Sequence, residues 1–169
     1  MDHSSMHSSM GDEASKVNSR LEGSDVMFLQ MMIPHHQQAI DISNLALKSS
    51  QDKELLALAQ TIIDEQSAEI LHMEAWLRDG GASMDMGHSM DGMGGMLSEA
   101  ELSQLSAAMG KNFDRLWLKG MIGHHDGAVH MTTMIRDARN PIIKAFGEDV
   151  VKVQTAQIEQ MKVMLKRIQ

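Results

Sequence analysis

The chain has no cysteine and no tyrosine among its 169 residues. The first absence excludes disulfides and thiolate metal sites, so any soft-metal ligand must be a thioether or an imidazole. Aromatics are scarce, with 3 Phe and 2 Trp, and there are only 2 Pro. Together with the lack of β-branched or aromatic runs, this points to helix rather than sheet. Basic charge is also short. Fifteen Lys and Arg against 23 Asp and Glu leave a formal net charge of -8, and no local Lys/Arg cluster offsets it, which sets nucleic acid aside as a partner. No apolar run approaches the ~18 to 20 residues needed to cross a bilayer. The sequence carries no signal peptide, which fits a cytoplasmic protein or a processed secreted one.

What is abundant is methionine, 18 residues, together with 9 His. Filling a core explains methionine on helices, but not methionine in polar segments. The chain is long enough for one domain with a real core. Residues 1–22 form a Met/His-rich tail that cannot repay its ordering entropy and is expected to be mobile. The domain spans 23–168, as a hairpin over 24–79, a Met-rich linker over 80–97 and a second hairpin over 98–168.

Periodicity places four long helices. The first runs from Ser24 or Asp25 as N-cap to about Ser49, with Phe28, Met32, His35, Ala39, Ile42 and Ala46 on one stripe. Pro34 lies inside it, where a kink or break is expected. The second runs from about Asp52 to Arg78 and ends at Gly80-Gly81. A capping box at Ser98 and Glu101 opens a short helix that falters near Gly110. The third long helix spans about Asn112 to Asp137. Its Gly120, Gly123 and Gly127 predict close approach of another backbone, since each costs ~1 kcal/mol relative to Ala. Pro141 starts the fourth, which runs to about Ile168.

Met32-Ile33-Pro34-His35-His36 returns 89 residues later as Met121-Ile122-Gly123-His124-His125. Gln66 through Ile70, with Met73 and Leu77, likewise matches Gln154 through Ile158, with Met161 and Leu165. The duplicated unit is therefore a helical hairpin. Two such hairpins bury each other's apolar faces as an all-α four-helix bundle, with both His pairs at equivalent levels.

The repeated [FW]-L-x-x-M-I-x-H-H-x-x-A motif and the downstream Q-[ST]-A-x-I-x-x-M resemble a family of bacterial secreted, ferritin-like four-helix proteins of long-unknown function. Some Met/His-rich members of that family are periplasmic copper-binding resistance proteins. The match covers about 24 to 168 and falls on Met32, His35, His36, Met121, His124 and His125. It implies export, to the periplasm or beyond, and a bundle fold, and more weakly copper. The sequence departs from the family in its Met-rich tail and linker, and in having Pro34 where the second repeat has Gly123.

A lone His pair is most simply an ordinary hydrogen-bonded one. Duplication of Met-x-x-His-His argues instead for a shared or paired site of up to four His and two Met, suited to Cu(I) or Ag(I), with Cu(II) through the imidazoles. In the linker, Met84, Met86, Met90, Met93, Met96 and His88 have no core to fill and read as a soft-metal tether. In the tail, His3 allows an amino-terminal Cu(II) or Ni(II) site, and Met6 with His7 suits Cu(I). Met27, Met31, Met73, Met109, Met134, Met161 and Met164 are expected mostly to pack, and His72 and His130 to lie at the surface. A di-iron centre needs paired Glu and Glu-x-x-His motifs. Glu69 and His72 supply one, but the second repeat has Gln157 and Gln160. The expected function is a non-enzymatic, exported copper buffer or carrier, with copper ions and other copper-handling proteins as partners. A His-cluster metal oxidase and a structural or partner-binding bundle are the alternatives. The His contribution is expected to weaken below the reference pKa of ~6.5.

Overall fold

Polar side chains meet the first free backbone N–H groups at the start of most helices, the helix that begins at Gly110 with Met109 at its N-cap being the exception. In the computed structural model, which describes residues 20–85 and 93–168, α1 is Gly23–Ser49 and α2 is Lys53–Asp79. The short α3 is Glu99–Ala107, α4 is Gly110–Met131 and α5 is Pro141–Ile168. The N-cap of α1 is Glu22 rather than Ser24 or Asp25. Asp25 lies inside the first turn, where its Oδ2 accepts from the Glu22 amide at 2.9 Å. Asp52 caps α2 by accepting from Leu55 N at 3.0 Å, and the Ser98–Glu101 capping box opens α3 as expected. Asn140 Oδ1 accepts from Ile142 N and Ile143 N, so Pro141 occupies the position where its missing N–H is harmless.

Two boundaries differ from expectation. The α1 helix runs through Pro34 without a break, with Met32, His35 and His36 buried around it. In α4 the α-helical path ends at Met131 and tightens into a 3-10 turn over Thr132–Ile135, short of Asp137. Gly147 on α5 leaves room there for Ile135, whose Cδ1 an added Cβ would touch.

The hairpins α1/α2 and α4/α5 pack through α1 against α4, giving the ferritin-like four-helix bundle. The core divides into two apolar clusters. One joins Ala39, Ile42 and Ala46 of α1 to Leu55, Leu58 and Ile62 of α2, Phe113, Trp117 and Met121 of α4, and Ile158, Met161 and Met164 of α5. The other gathers Phe28, Leu29 and Met32 with Met73, Leu77, Ala128, Ile143, Phe146 and Val150. Each cluster takes opposite ends of α1 and α4, so these helices run antiparallel. The Trp117 indole, fully buried, donates Nε1–H to Ile42 O at 3.1 Å and so ties the hairpins together. At the same end, Arg167 grips Asp52 at 2.8 and 3.0 Å, fastening the end of α5 to the start of α2.

The linker expectation needs correction at its far end. Met93 and Leu97 are buried, and Met96 packs partly buried on the second cluster. Gln38 holds Leu97 like a neighbouring strand, donating Nε2–H to its carbonyl at 3.0 Å and accepting its amide at 2.8 Å. This docked segment is the close backbone expected at the α4 glycines, and it is met directly at Gly127. A Cβ on Gly127 would strike the Gly94 carbonyl, one on Gly120 would press on Leu97, and one on Gly95, where φ is 77°, would strike the Gly123 carbonyl. A Cβ on Gly123 itself meets nothing within 4 Å.

These two α4 glycines should therefore respond in opposite ways to alanine. Gly123→Ala is expected to be neutral or to stabilise by up to about 1 kcal/mol through helix propensity. Gly127→Ala, which must displace backbone, is expected to destabilise by about 1–3 kcal/mol. Urea unfolding midpoints of the two variants check this.

Candidate metal centre

His35 and His36 on α1 and His124 and His125 on α4 are all buried, at 1% exposure or less. They lie between the residues of the two apolar clusters, so the bundle carries a polar layer at mid-height. Gln66 and Gln154, buried and matched in the repeat, sit at the corresponding positions of α2 and α5. His35 and His124 meet ring to ring across the α1–α4 contact, with centroids 3.8 Å apart and planes tilted by 32°. The His124 and His125 rings are 6.4 Å apart.

Three of the four imidazoles are held by one nitrogen each. His35 Nε2 lies 3.0 Å from Gly94 O, His36 Nε2 lies 2.5 Å from Glu69 Oε2, and His125 Nε2 lies 2.7 Å from Gln157 Oε1. A carbonyl and a carboxylate oxygen only accept. The Gln157 amide is oriented by donating Nε2–H to Glu65 Oε2 at 3.0 Å, so its oxygen faces the ring. In each case, then, Nε2 carries the proton and Nδ1 carries the lone pair. Those Nδ1 atoms on His35, His36 and His125, and both ring nitrogens of His124, are buried without a hydrogen-bond partner from the protein.

Burial controls the charge of this layer. It pushes His35 down from 6.5 to about 4, against the opposing pull of the Gly94 carbonyl. It pushes His125 to about 4, with Gln157 opposing, and His124 well below the usual range, with the His35 and His125 imidazoles adding to the effect. These rings are therefore neutral, with lone pairs free, well below the ~6.5 expected from the reference value.

The comparisons agree with this architecture. The family model for a domain of unknown function, DUF305, matches residues 25–165. The chain belongs to the DUF305 family. A secreted DUF305 protein from Streptomyces coelicolor is 28% identical with a TM-score of 0.81, covering 86% of this chain and 92% of that one. A DUF305 fragment from Deinococcus radiodurans is 35% identical with a TM-score of 0.82, covering 88% and 99%. CopM in its Cu(I)-bound form is 33% identical with a TM-score of 0.73, covering 85% and 96%, and CopM has also been solved with Cu(II) and with Ag. No curated protein matches the chain.

Within this DUF305 bundle the sequence-derived site residues fall in several places. The four His come together in one layer. Met32 and Met121 are fully buried but belong to different apolar clusters. Among the described residues no three His, Asp or Glu side chains converge as a set that could hold one metal ion, so the imidazoles do not form a four-His centre as they stand. Met84 is exposed, whereas Met93 and Met96 pack, contrary to the expectation that they have no core to fill. Met86, Met90 and His88, and in the tail His3, Met6 and His7, lie outside the described residues. Of the helical methionines, Met73, Met161 and Met164 pack as expected, while Met27 and Met109 are exposed. His72 and His130 lie at the surface. Sequence reasoning missed Gly94, Glu65 and the His-holding roles of Glu69 and Gln157. The repeat alignment already paired Glu69 with Gln157, and that was the available signal.

The sign of the acid response follows from these shifts. The folded-state pKa values lie below the unfolded ones, so between about 6.5 and 4 the unfolded chain takes up protons that the folded chain refuses. Stability of the metal-free protein is thus full above 6.5 and falls as pH drops toward 4, by on the order of 3 kcal/mol for each of His35 and His125. Denaturant midpoints measured from pH 7 to pH 4.5 should fall, and the fall should be shallower in His35→Leu.

Proposed function

We propose that this protein binds copper, chiefly Cu(I), and buffers or carries it outside the cytoplasm, without catalysing a reaction of its own. The observation that carries the reading is the buried imidazole layer, in which five ring nitrogens have no protein partner. Buried polar atoms of this kind call for a partner; the Nδ1 atoms of His35, His36 and His125 face the layer as lone pairs, and neutral His124 adds one lone pair and one N–H. The donor set fits the metal. Imidazole and thioether without thiolate is the chemistry of Cu(I) and Ag(I), with imidazole extending it to Cu(II). Similarity to CopM, solved with all three ions, supports the same reading, and similarity to a secreted relative supports export.

His35, His36, His124 and His125 would supply nitrogen and Met32 and Met121 sulfur. Exposed Met84, with Met86, Met90 and His88 beside it in sequence, would capture further Cu(I). Other copper-handling proteins would be the partners of such a carrier. Because burial keeps His35, His124 and His125 neutral, the core site should hold copper in mild acid, and thioethers do not titrate at all.

Titration of Cu(I) against a chromophoric competing chelator tests this. The pair His35→Leu/His124→Leu should lose the tightest site, whereas Met84→Ser/Met86→Ser/Met90→Ser should lower stoichiometry and leave that site intact. Unchanged affinity and stoichiometry in both variants would falsify the assignment. In air, the loaded protein should oxidise Cu(I) no faster than the free ion; turnover well above that rate would make it an oxidase instead.

A further inference from the structure

His36 and His125 occupy matching places in the two repeats, and so do the residues that hold them. Glu69 and Gln157 are equivalent within the paired stretches 66–70 and 154–158. Each accepts an imidazole Nε2–H, Glu69 at 2.5 Å and Gln157 at 2.7 Å. The repeats agree in geometry and differ in charge, since a carboxylate faces one ring and an amide the other. No carboxylate touches His125: its hydrogen-bonded chain reaches one at one remove, through the Gln157 Nε2–H to Glu65 Oε2 contact of 3.0 Å, and Glu69 acts on it through space, whereas Glu69 is in direct contact with His36. Both carboxylates come from α2, one turn apart, and α5 contributes only the amide.

We propose that Glu69 and Gln157 are positioning residues that fix Nδ1 of His36 and of His125 as the metal-facing nitrogens. We further infer that the Glu69 carboxylate makes the His36 half the preferred place for Cu(II), leaving the His125 half to Cu(I). The inference rests on the copper reading above. An N–H given to a carboxylate leaves more electron density on the opposite ring nitrogen than one given to an amide. A negative charge one ring away also attracts a doubly charged ion more than a singly charged one. Glu69 is 25% exposed, so solvent attenuates this charge without removing it. The two halves of a duplicated motif thereby become chemically distinct through a single position, with their imidazole geometry retained.

Histidine ring nitrogen-15 NMR of the metal-free protein reads the tautomers directly. His36 and His125 should both be Nε2–H. Glu69→Gln should keep the His36 tautomer, as Gln157 keeps that of His125, whereas Glu69→Ala and Gln157→Leu should each release the ring they hold. Separate titrations with Cu(II) and Cu(I) then read the charge: Glu69→Gln should lose about 10- to 100-fold in Cu(II) affinity and change less than about 3-fold for Cu(I). An Nδ1–H His36, or a tautomer indifferent to Glu69→Ala, overturns the positioning role. Equal loss for both ions overturns the oxidation-state assignment. If the wild-type protein binds no copper, the functional reading fails and takes that assignment with it, while the tautomer measurement still decides whether Glu69 and Gln157 position the rings.

Discussion

Three oxygens hold three buried imidazoles by Nε2, and the middle of the bundle is arranged around that constraint. A neutral imidazole brings one donor and one acceptor into the core. Here the protein satisfies the donors with Gly94 O, Glu69 and Gln157 and leaves the acceptors open. Charging His35 or His125 would be far more costly than leaving a lone pair unpaired, and burial between two apolar clusters keeps these two rings neutral. The same apolar surroundings that supply the folding free energy therefore set the protonation state of the layer.

The docked end of the linker is the second half of this arrangement. Gly94 gives His35 its acceptor, and it can do so only because the backbone of α4 is bare at Gly127. Gly95 comes equally close to the Gly123 carbonyl, and Gln38 clamps Leu97 from α1. The segment thus runs across the α1–α4 contact, where the two repeats meet and where His35 stacks on His124. A helix glycine that lowers α4 stability locally is what lets a loop carbonyl reach a buried imidazole.

Much of this was legible in the sequence, and the reasons are local. The duplicated Met-x-x-His-His, the apolar stripes and the capping box at Ser98 and Glu101 depend on residues within a few positions of one another. The α4 glycines likewise announced a close backbone. What they could not announce was which backbone, because nothing in Gly94 or Leu97 distinguishes a docked loop from a free one until Gln38, 59 positions away, is in place. By spacing, Glu69 and His72 make half of a di-iron motif. In the fold His72 turns to Trp76, with ring centroids 5.9 Å apart, and Glu69 turns inward to His36. Helical spacing fixes which residues share a face, but a carboxylate at the edge of that face takes the partner that the neighbouring helix presents.

The division of the thioethers bears on how such a layer can hold a soft ion. Met32 and Met121 stand at equivalent positions in the repeat, yet they pack into different clusters. This follows from α1 and α4 running antiparallel. Residues three positions before each His pair then fall on opposite sides of the imidazole layer. Each repeat can offer its own sulfur beside its own imidazoles. On the copper reading, the duplicated motif is thus two His/Met half-sites set back to back and joined by the His35–His124 stack. Because that stack is shared, moving either ring toward an ion on its own side withdraws it from the other, and the halves are coupled through that contact.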